Sequence, residues 1–269
     1  MGFYLYIANI KKENEPMKTV ALLVLGLCLV LVSESFAYFT VTHLTTVVYL
    51  SNSTSAQVEE TLQIYMSNSS IQNYMQDRAA VNQTITIWQK LLQTNLLEQH
   101  IINPRSSISN FTLLPGPATP EGYSGATAYL TMMYVAHNVT QVSEIAPRVF
   151  KYTFNDSCFN FEHTASGPAL FQNATLEMVL PKNAKVILPI YPAPDSPIAN
   201  YANATQFYWF QAEPLNKFQL SYTVTESLQQ EVVSFFANMY PKHAVILYLL
   251  IAFVAAGIAA YAYSRIKNK

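Results

Sequence analysis

Cys158 and His163 stand in a C-x4-H spacing within the run Asn155-Asp156-Ser157-Cys158-Phe159-Asn160-Phe161-Glu162-His163. A thiolate and an imidazole so spaced are two members of a blue-copper ligand set, which takes two His, one Cys and a weak axial Met. His137 or His100 could supply the second imidazole. The set stops there. Thr164-Ala165-Ser166-Gly167 follows His163, and the next methionine is Met178. Asn155-Asp156-Ser157 is also an N-glycosylation acceptor, which would set a bulky glycan three residues from the thiol. Single exported cysteines are among the most often buried residues. The expectation is therefore no metal and no other cofactor, with a Cys158–His163 copper pair as the alternative. The stretch reads as a glycosylated strand end with Cys158 or Phe159 and Phe161 turned into the core.

Other chemistry finds fewer residues still. His43, His100, His137, His163 and His243 include no i, i+4 pair of the helical zinc kind. Gly122-Tyr123-Ser124-Gly125-Ala126 departs from the G-x-S-x-G nucleophile elbow at its last position. With seven Gly in the whole chain, a Gly-rich phosphate loop would be conspicuous, and there is none. The carboxylates are scattered. No nucleophile–base pair or metal cluster emerges, so no catalytic residue is expected and the chain reads as a non-enzyme.

Between Tyr38 and Lys242 there are thirteen Asp or Glu and nine Lys or Arg, a net of −4, which excludes a basic nucleic-acid surface. The same span holds sixteen Asn, and eight of them start an N-x-Ser/Thr sequon. They are Asn52, Asn68, Asn82, Asn110, Asn138, Asn155, Asn173 and Asn203. Chance predicts about three, so N-linked glycans on an exported chain are expected.

The two ends supply the export route. Thr19–Val32 is fourteen apolar or small residues after Lys18, with Ser35-Phe36-Ala37 at its exit. That is the pattern of a secretory signal peptide, here 1–37, with Met17 the more ordinary start and an uncleaved anchor as the alternative. Ala244–Tyr263 is twenty uncharged residues, enough for ~30 Å of helix across a bilayer. Arg265, Lys267 and Lys269 follow it, which puts a short tail, 264–269, in the cytoplasm. The expected single-pass span is 243–263, with the N-terminal domain outside the cell membrane. Within it Ala252, Ala256 and Ala260 recur every four residues, a small-residue face on which helices could associate.

The elements between the ends read as mainly β. Tyr38–Leu50 and Gln57–Met66 flank Ser51-Asn52-Ser53-Thr54, a hairpin signature. Ile85, Trp88, Leu91, Leu92 and Leu96 then predict one helical face over Thr84–Ile101, capped by Asn82 or Thr84 and ended by Asn103-Pro104. A shorter helix is expected near Ile71–Val81, and Trp88 reads as core. Further strands are predicted at Ser107–Leu114, Ala126–Val135, Arg148–Phe154, Ala174–Leu180, Lys185–Ile190, Gln206–Gln211 and Lys217–Thr225. Their roughly ten-residue spacing suits an antiparallel sandwich, giving one β-rich domain, 38–226, with a helical insertion at about 69–102. Leu228, Val232, Phe235, Phe236 and Met239 make a stripe on a juxtamembrane amphipathic helix, 227–242, which Pro241 separates from the span.

The runs VLPKNAKVILPIYPAPDSP and FYWFQAEPLNKFQLSYTV resemble strand pairs of an immunoglobulin-like domain. Dense sequons, an unpaired cysteine once Cys28 leaves with the signal, low charge and a single anchor together resemble archaeal membrane-anchored cell-surface glycoproteins. The resemblance implies an immunoglobulin-like sandwich ectodomain in an envelope or S-layer-associated protein. Its partners would be the membrane and other envelope or membrane proteins, a second copy of the chain included. An accessory subunit of a respiratory or transport complex, and a ligand-binding ectodomain, are the alternatives.

Overall fold

Alternation builds the centre of the molecule. In β1 (Phe39–Leu50) residues 44, 46, 48 and 50 are buried, and in β2 (Ala56–Ser67) every even-numbered residue is. The two strands pair antiparallel, with Leu44 opposite Leu62, Val48 opposite Val58 and Leu50 opposite Ala56. A half-buried pleated strand needs this period of two, and the Thr- and Val-rich sequence supplies it. Ser51 Oγ donates to Ser55 O at 2.9 Å and closes the turn. The structure, a computed structural model, describes residues 39–80, 83–103, 108–195, 201–210 and 213–229, with a few single positions between 232 and 257.

After β2 come helices α1 (Ile71–Ala79) and α2 (Ile85–Leu92). Then follow β3 (Ser109–Pro115), β4 (Thr119–Glu121), β5 (Gly125–Ala136), β6 (Thr140–Ala146) and β7 (Val149–Phe154). The chain continues through β8 (Glu162–Thr164), β9 (Gly167–Ala169), β10 (Ala174–Val179), β11 (Ala184–Tyr191), β12 (Gln206–Phe210) and β13 (Gln219–Thr225). One sheet has seven strands in the order β12-β10-β1-β2-β5-β3, with β4 also pairing β5. A second has four, β11-β13-β7-β6, and β8 with β9 forms a small hairpin.

The protein is mainly β, as its sequence predicts, and consistent with a β-sandwich. Its pairing is not purely antiparallel. β1 and β10 run parallel, from Leu44 opposite Ala174 to Tyr49 opposite Val179, which makes the large sheet mixed. β2 occupies one edge of β1 by hairpin closure, so a strand arriving from far along the chain takes the other edge, and there either direction is open.

The helical insertion is shorter than its sequence predicts. Thr84 caps α2, its Oγ1 accepting from Ile87 N at 3.4 Å, and Trp88 is core as expected. The helix stops at Gln93, which adopts φ 50°, so Thr94–Ile101 is not helical. The apolar spacing that continued the helix on paper instead buries Leu97 and Ile101 from an irregular segment. Trp88 packs edge-on against Tyr74 of α1 at 5.4 Å.

The buried faces of both large sheets share one core cluster. Phe218, just before β13, bridges them, with its ring 4.9 Å from Trp209 of the large sheet and 5.6 Å from Phe154 of the small one. Tyr152 and Tyr222 stack at 5.1 Å, and Tyr222 Oη donates to Ser51 O at 3.0 Å. Each such fully buried large apolar side chain contributes on the order of 1.5–3 kcal/mol.

The expected signal peptide, 1–37, lies outside the described residues, as does most of the juxtamembrane stretch, 227–242. Among the described residues no helix is long and apolar enough to cross a membrane, and most of the expected span, 243–263, lies outside them. Ala252 and Ala256 are described as helical and exposed, and Ala260 is outside.

Candidate functional site

A carboxylate stands in the middle of the core. Across the inner face of the large sheet the paired positions run Trp209, Leu176, Thr46, Glu60, Met132, Leu113. Five of these are ordinary core or near-core residues. Glu60 is 0% exposed. An ionised carboxylate in such surroundings is tolerable only when its oxygens are satisfied.

The irregular segment after α2 provides the donors. It runs antiparallel to Cys158–Asn160, with Ile102 N donating to Cys158 O at 2.9 Å and Asn160 N to His100 O at 2.9 Å. This pairing aims His100, itself 1% exposed, at Glu60. His100 N donates to Glu60 Oε1 at 2.6 Å, and ring Nδ1 donates to Oε2 at 2.6 Å. Tyr134 Oη, from β5, donates to Oε1 and accepts from Ile101 N at 3.1 Å. Phe161 lies over the imidazole at 4.8 Å and Phe171 meets it edge-on at 5.7 Å. Burial first, then the Glu60 charge, pushes the Tyr134 phenol well up, so it stays a donor. Thr46, directly opposite Glu60 on β1, buries a hydroxyl that has no hydrogen-bond partner.

This constellation has the groups of an acid–base site and lacks a face for a substrate, because Glu60 and His100 are both enclosed. Its chemistry is internal: it ties β2, β5 and the 97–103 segment into one register. Sequence reading missed it. Glu60 follows Glu59 in a run that looks like a solvated strand, and only the even-position burial of β2 turns the second one inward.

A second imidazole stands at the strand ends. His137 Nδ1 and Ser55 Oγ are hydrogen-bonded at 3.0 Å, and His137 Nε2 and Ser109 Oγ at 2.8 Å. A serine beside an imidazole held by a third group is the outline of a nucleophilic pair. Here the third group is a neutral hydroxyl, which orients the ring and offers no charge to an imidazolium. Sequons at Asn110 and Asn138 flank the pair. It links β2, β3 and β5 at one corner.

Cys158 and His163 are not brought together. Asp156–Cys158 is a 3-10 turn begun by Asn155, whose Oδ1 accepts from Ser157 N at 3.2 Å and Ser157 Oγ at 2.8 Å. Cys158 is fully buried, and burial, then Asp156, pushes its thiol up to about 11. Its Sγ donates to Asn138 O at 3.9 Å. His163 is exposed on β8 and lines a surface groove of about 310 Å³ with Asp156, Ser157 and Leu215. Among the described residues no group of three His, Cys, Asp or Glu is placed to hold a metal. Phe159 and Phe161 join Cys158 in the core, where Phe159 meets Phe154 at 5.1 Å.

Of the eight sequons, Asn82 is outside the described residues. Asn52, Asn68, Asn110, Asn138, Asn173 and Asn203 are exposed and Asn155 is half-buried. Six of these seven stand in turns at strand ends, and Asn110 is on the rim strand β3.

Compared with known families and with curated proteins, the chain matches no family model and no curated protein.

Proposed function

We propose that the chain is a non-enzymatic, single-span, N-glycosylated cell-surface protein that works through protein–protein contact, as an envelope or S-layer-associated component. The surface position of the sequons carries the reading. A soluble core residue cannot accept a glycan, and none of the seven described acceptors is buried. The enclosed Glu60–His100–Tyr134 cluster is consistent with it, since this acid–base constellation among the described residues faces no solvent.

An immunoglobulin-like relation of the two sheets is part of the proposal, and the parallel pairing of β1 with β10 is the feature that relation must accommodate. Export by a signal peptide, an anchor at 243–263 and a cytoplasmic tail complete it. Intact-mass analysis of the chain from its own cells tests the reading. Several hexose-scale increments above the polypeptide mass, mapped to the sequons, are expected. A bare polypeptide mass overturns it.

A further inference from the structure

The large sheet has a second face. On it the paired positions form three rows: Phe210, Thr175, Thr45, Thr61, Thr131, Leu114; then Tyr208, Glu177, Val47, Glu59, Met133, Thr112; then Gln206, Val179, Tyr49, Gln57, Val135. All are half-buried or exposed, with Tyr49, Phe210 and Leu114 each at least 40% exposed. Six strands at ~4.8 Å spacing and three rows ~6.7 Å apart give a platform on the order of 24 by 15 Å, which suits the central part of one partner's side of an interface.

Two properties set this face apart. First, the sugars avoid it. The four central strands β10, β1, β2 and β5 contain no asparagine; Asn52, Asn68, Asn138 and Asn173 lie at their ends, Asn110 on the rim strand β3, and Asn155 and Asn203 in connections after β7 and before β12. Second, its charge has one sign. The seven strands contain no Lys or Arg. Glu59 and Glu177 flank Val47 in one row, about two strand spacings, or ~10 Å, apart. Tyr208 donates a hydrogen bond to Glu177. Burial, then the Glu59 and Glu177 charges, pushes the Tyr49 phenol up, so both carboxylate fields reach the same spot.

We propose that this face docks a protein partner that presents a lysine or arginine between Glu59 and Glu177, among threonine, valine, methionine and tyrosine side chains. The inference rests on the reading above that the chain acts through protein contact. A cation seated there meets two carboxylates and the faces of Tyr49 and Tyr208, and aromatic surroundings suit it. A second copy does not fit the same face, because it would bring four carboxylates together, and like charges in an interface are costly. The threonine row offers short, stiff side chains that lose little freedom when covered.

The test uses the full chain, tagged and produced in its own cells, extracted in mild detergent and treated with carbodiimide to join carboxylates to lysine amines. A wild-type complex is compared with Glu59→Gln plus Glu177→Gln. It is also compared with Val47→Asn plus Tyr49→Thr, which writes a sequon across the face. Thermal unfolding establishes that each variant folds. The expected result is a cross-link from Glu59 or Glu177 to another protein's lysine, or a salt-sensitive complex when the cation is arginine. Partner recovery should fall roughly tenfold or more in both variants. A folded variant pair that retains the wild-type partner in full overturns the docking face while leaving the contact role standing. A wild-type chain that recovers no partner overturns both, and a complex formed only with a second copy overturns the choice of occupant.

Discussion

Removing the imidazole at position 100 should be among the most damaging single changes in the molecule. His100→Ala deletes the Nδ1–H that holds Glu60 Oε2 at 2.6 Å and leaves a carboxylate of 0% exposure with fewer donors. Breaking a buried pair by removing one partner costs about 3–5 kcal/mol, because the remaining charge stays desolvated. The ring's packing against Phe161 and Phe171 is lost as well. Tyr134→Phe takes one donor from Oε1 and leaves Ile101 N without its acceptor, while His100 N still serves Oε1. That is a smaller loss, about 1–3 kcal/mol for an unsatisfied buried group. For a domain near 200 residues, 3–5 kcal/mol corresponds to a fall in Tm of roughly 6–20 °C. Urea unfolding of the full chain measures both variants at one pH, with unchanged slopes marking a change in stability alone. A loss below about 1 kcal/mol for His100→Ala would refute the reasoning. It would mean that the core opens to water there.

Thr46→Val should stabilise the chain by roughly 1 kcal/mol, because it replaces a buried hydroxyl that has no partner with a methyl of the same shape; a destabilised variant in the same urea titration would show that the hydroxyl is satisfied. Cys158 should resist iodoacetamide at pH 8 in the folded chain and react after denaturation, since its thiol is buried and pushed up to about 11. The raised value also sets the sign of its pH linkage: its contribution is present below the ordinary 9.0 and is lost as pH rises through about 11, which an alkaline unfolding series reads. Among the sequons, Asn155 should be the least occupied, being half-buried with Oδ1 engaged by Ser157, and Asn52 and Asn203 among the most; glycopeptide mapping gives the order.

The β1–β2 hairpin was legible because burial on one face forces a period of two, and a four-residue polar turn stands between its strands. So were the seven later strands, each within a few residues of its observed bounds. β6 was not legible: six of its seven residues are exposed, so no alternation marks it. β4, β8 and β9 are three residues each, too short for any period to register. The helix overran because Leu96 keeps helical spacing from Leu92, while the left-handed turn at Gln93 uses a residue type with no such signature. The Glu60–His100–Tyr134 cluster depends on that same turn. Its three members come from positions 40, 34 and 74 residues apart, and only tertiary pairing brings them together.

The excess of sequons has a rival explanation in the fold itself. Asparagine is the residue, after glycine, that most readily adopts a left-handed backbone, and Asn110 and Asn138 take φ 55° and 56°. Turns that need such residues recruit asparagine whether or not a sugar follows. The hydroxyl two residues on is also partly accounted for. Thr140 Oγ1 donates to Ser53 O at 3.1 Å, Ser157 Oγ donates to Asn155 Oδ1, and Thr175 Oγ1 is bonded to His43 Nε2 at 3.2 Å. Turn chemistry therefore explains the pattern at Asn138 and Asn155 without any glycan, and a contact between strands β10 and β1 accounts for the Thr175 hydroxyl after Asn173. It does not explain why the backbone of these turns is pinned inward while the amides stay outside. Val139 N donates to Thr54 O at 2.8 Å, Asn103 Nδ2 and Cys158 Sγ both donate to Asn138 O, and the Asn138 side chain is left exposed. That arrangement leaves the amide accessible to modification while the turn itself stays packed. The docking face then follows from the same distribution. Acceptor asparagines gathered at strand ends leave the middle of the sheet as the broad surface that another protein could approach closely.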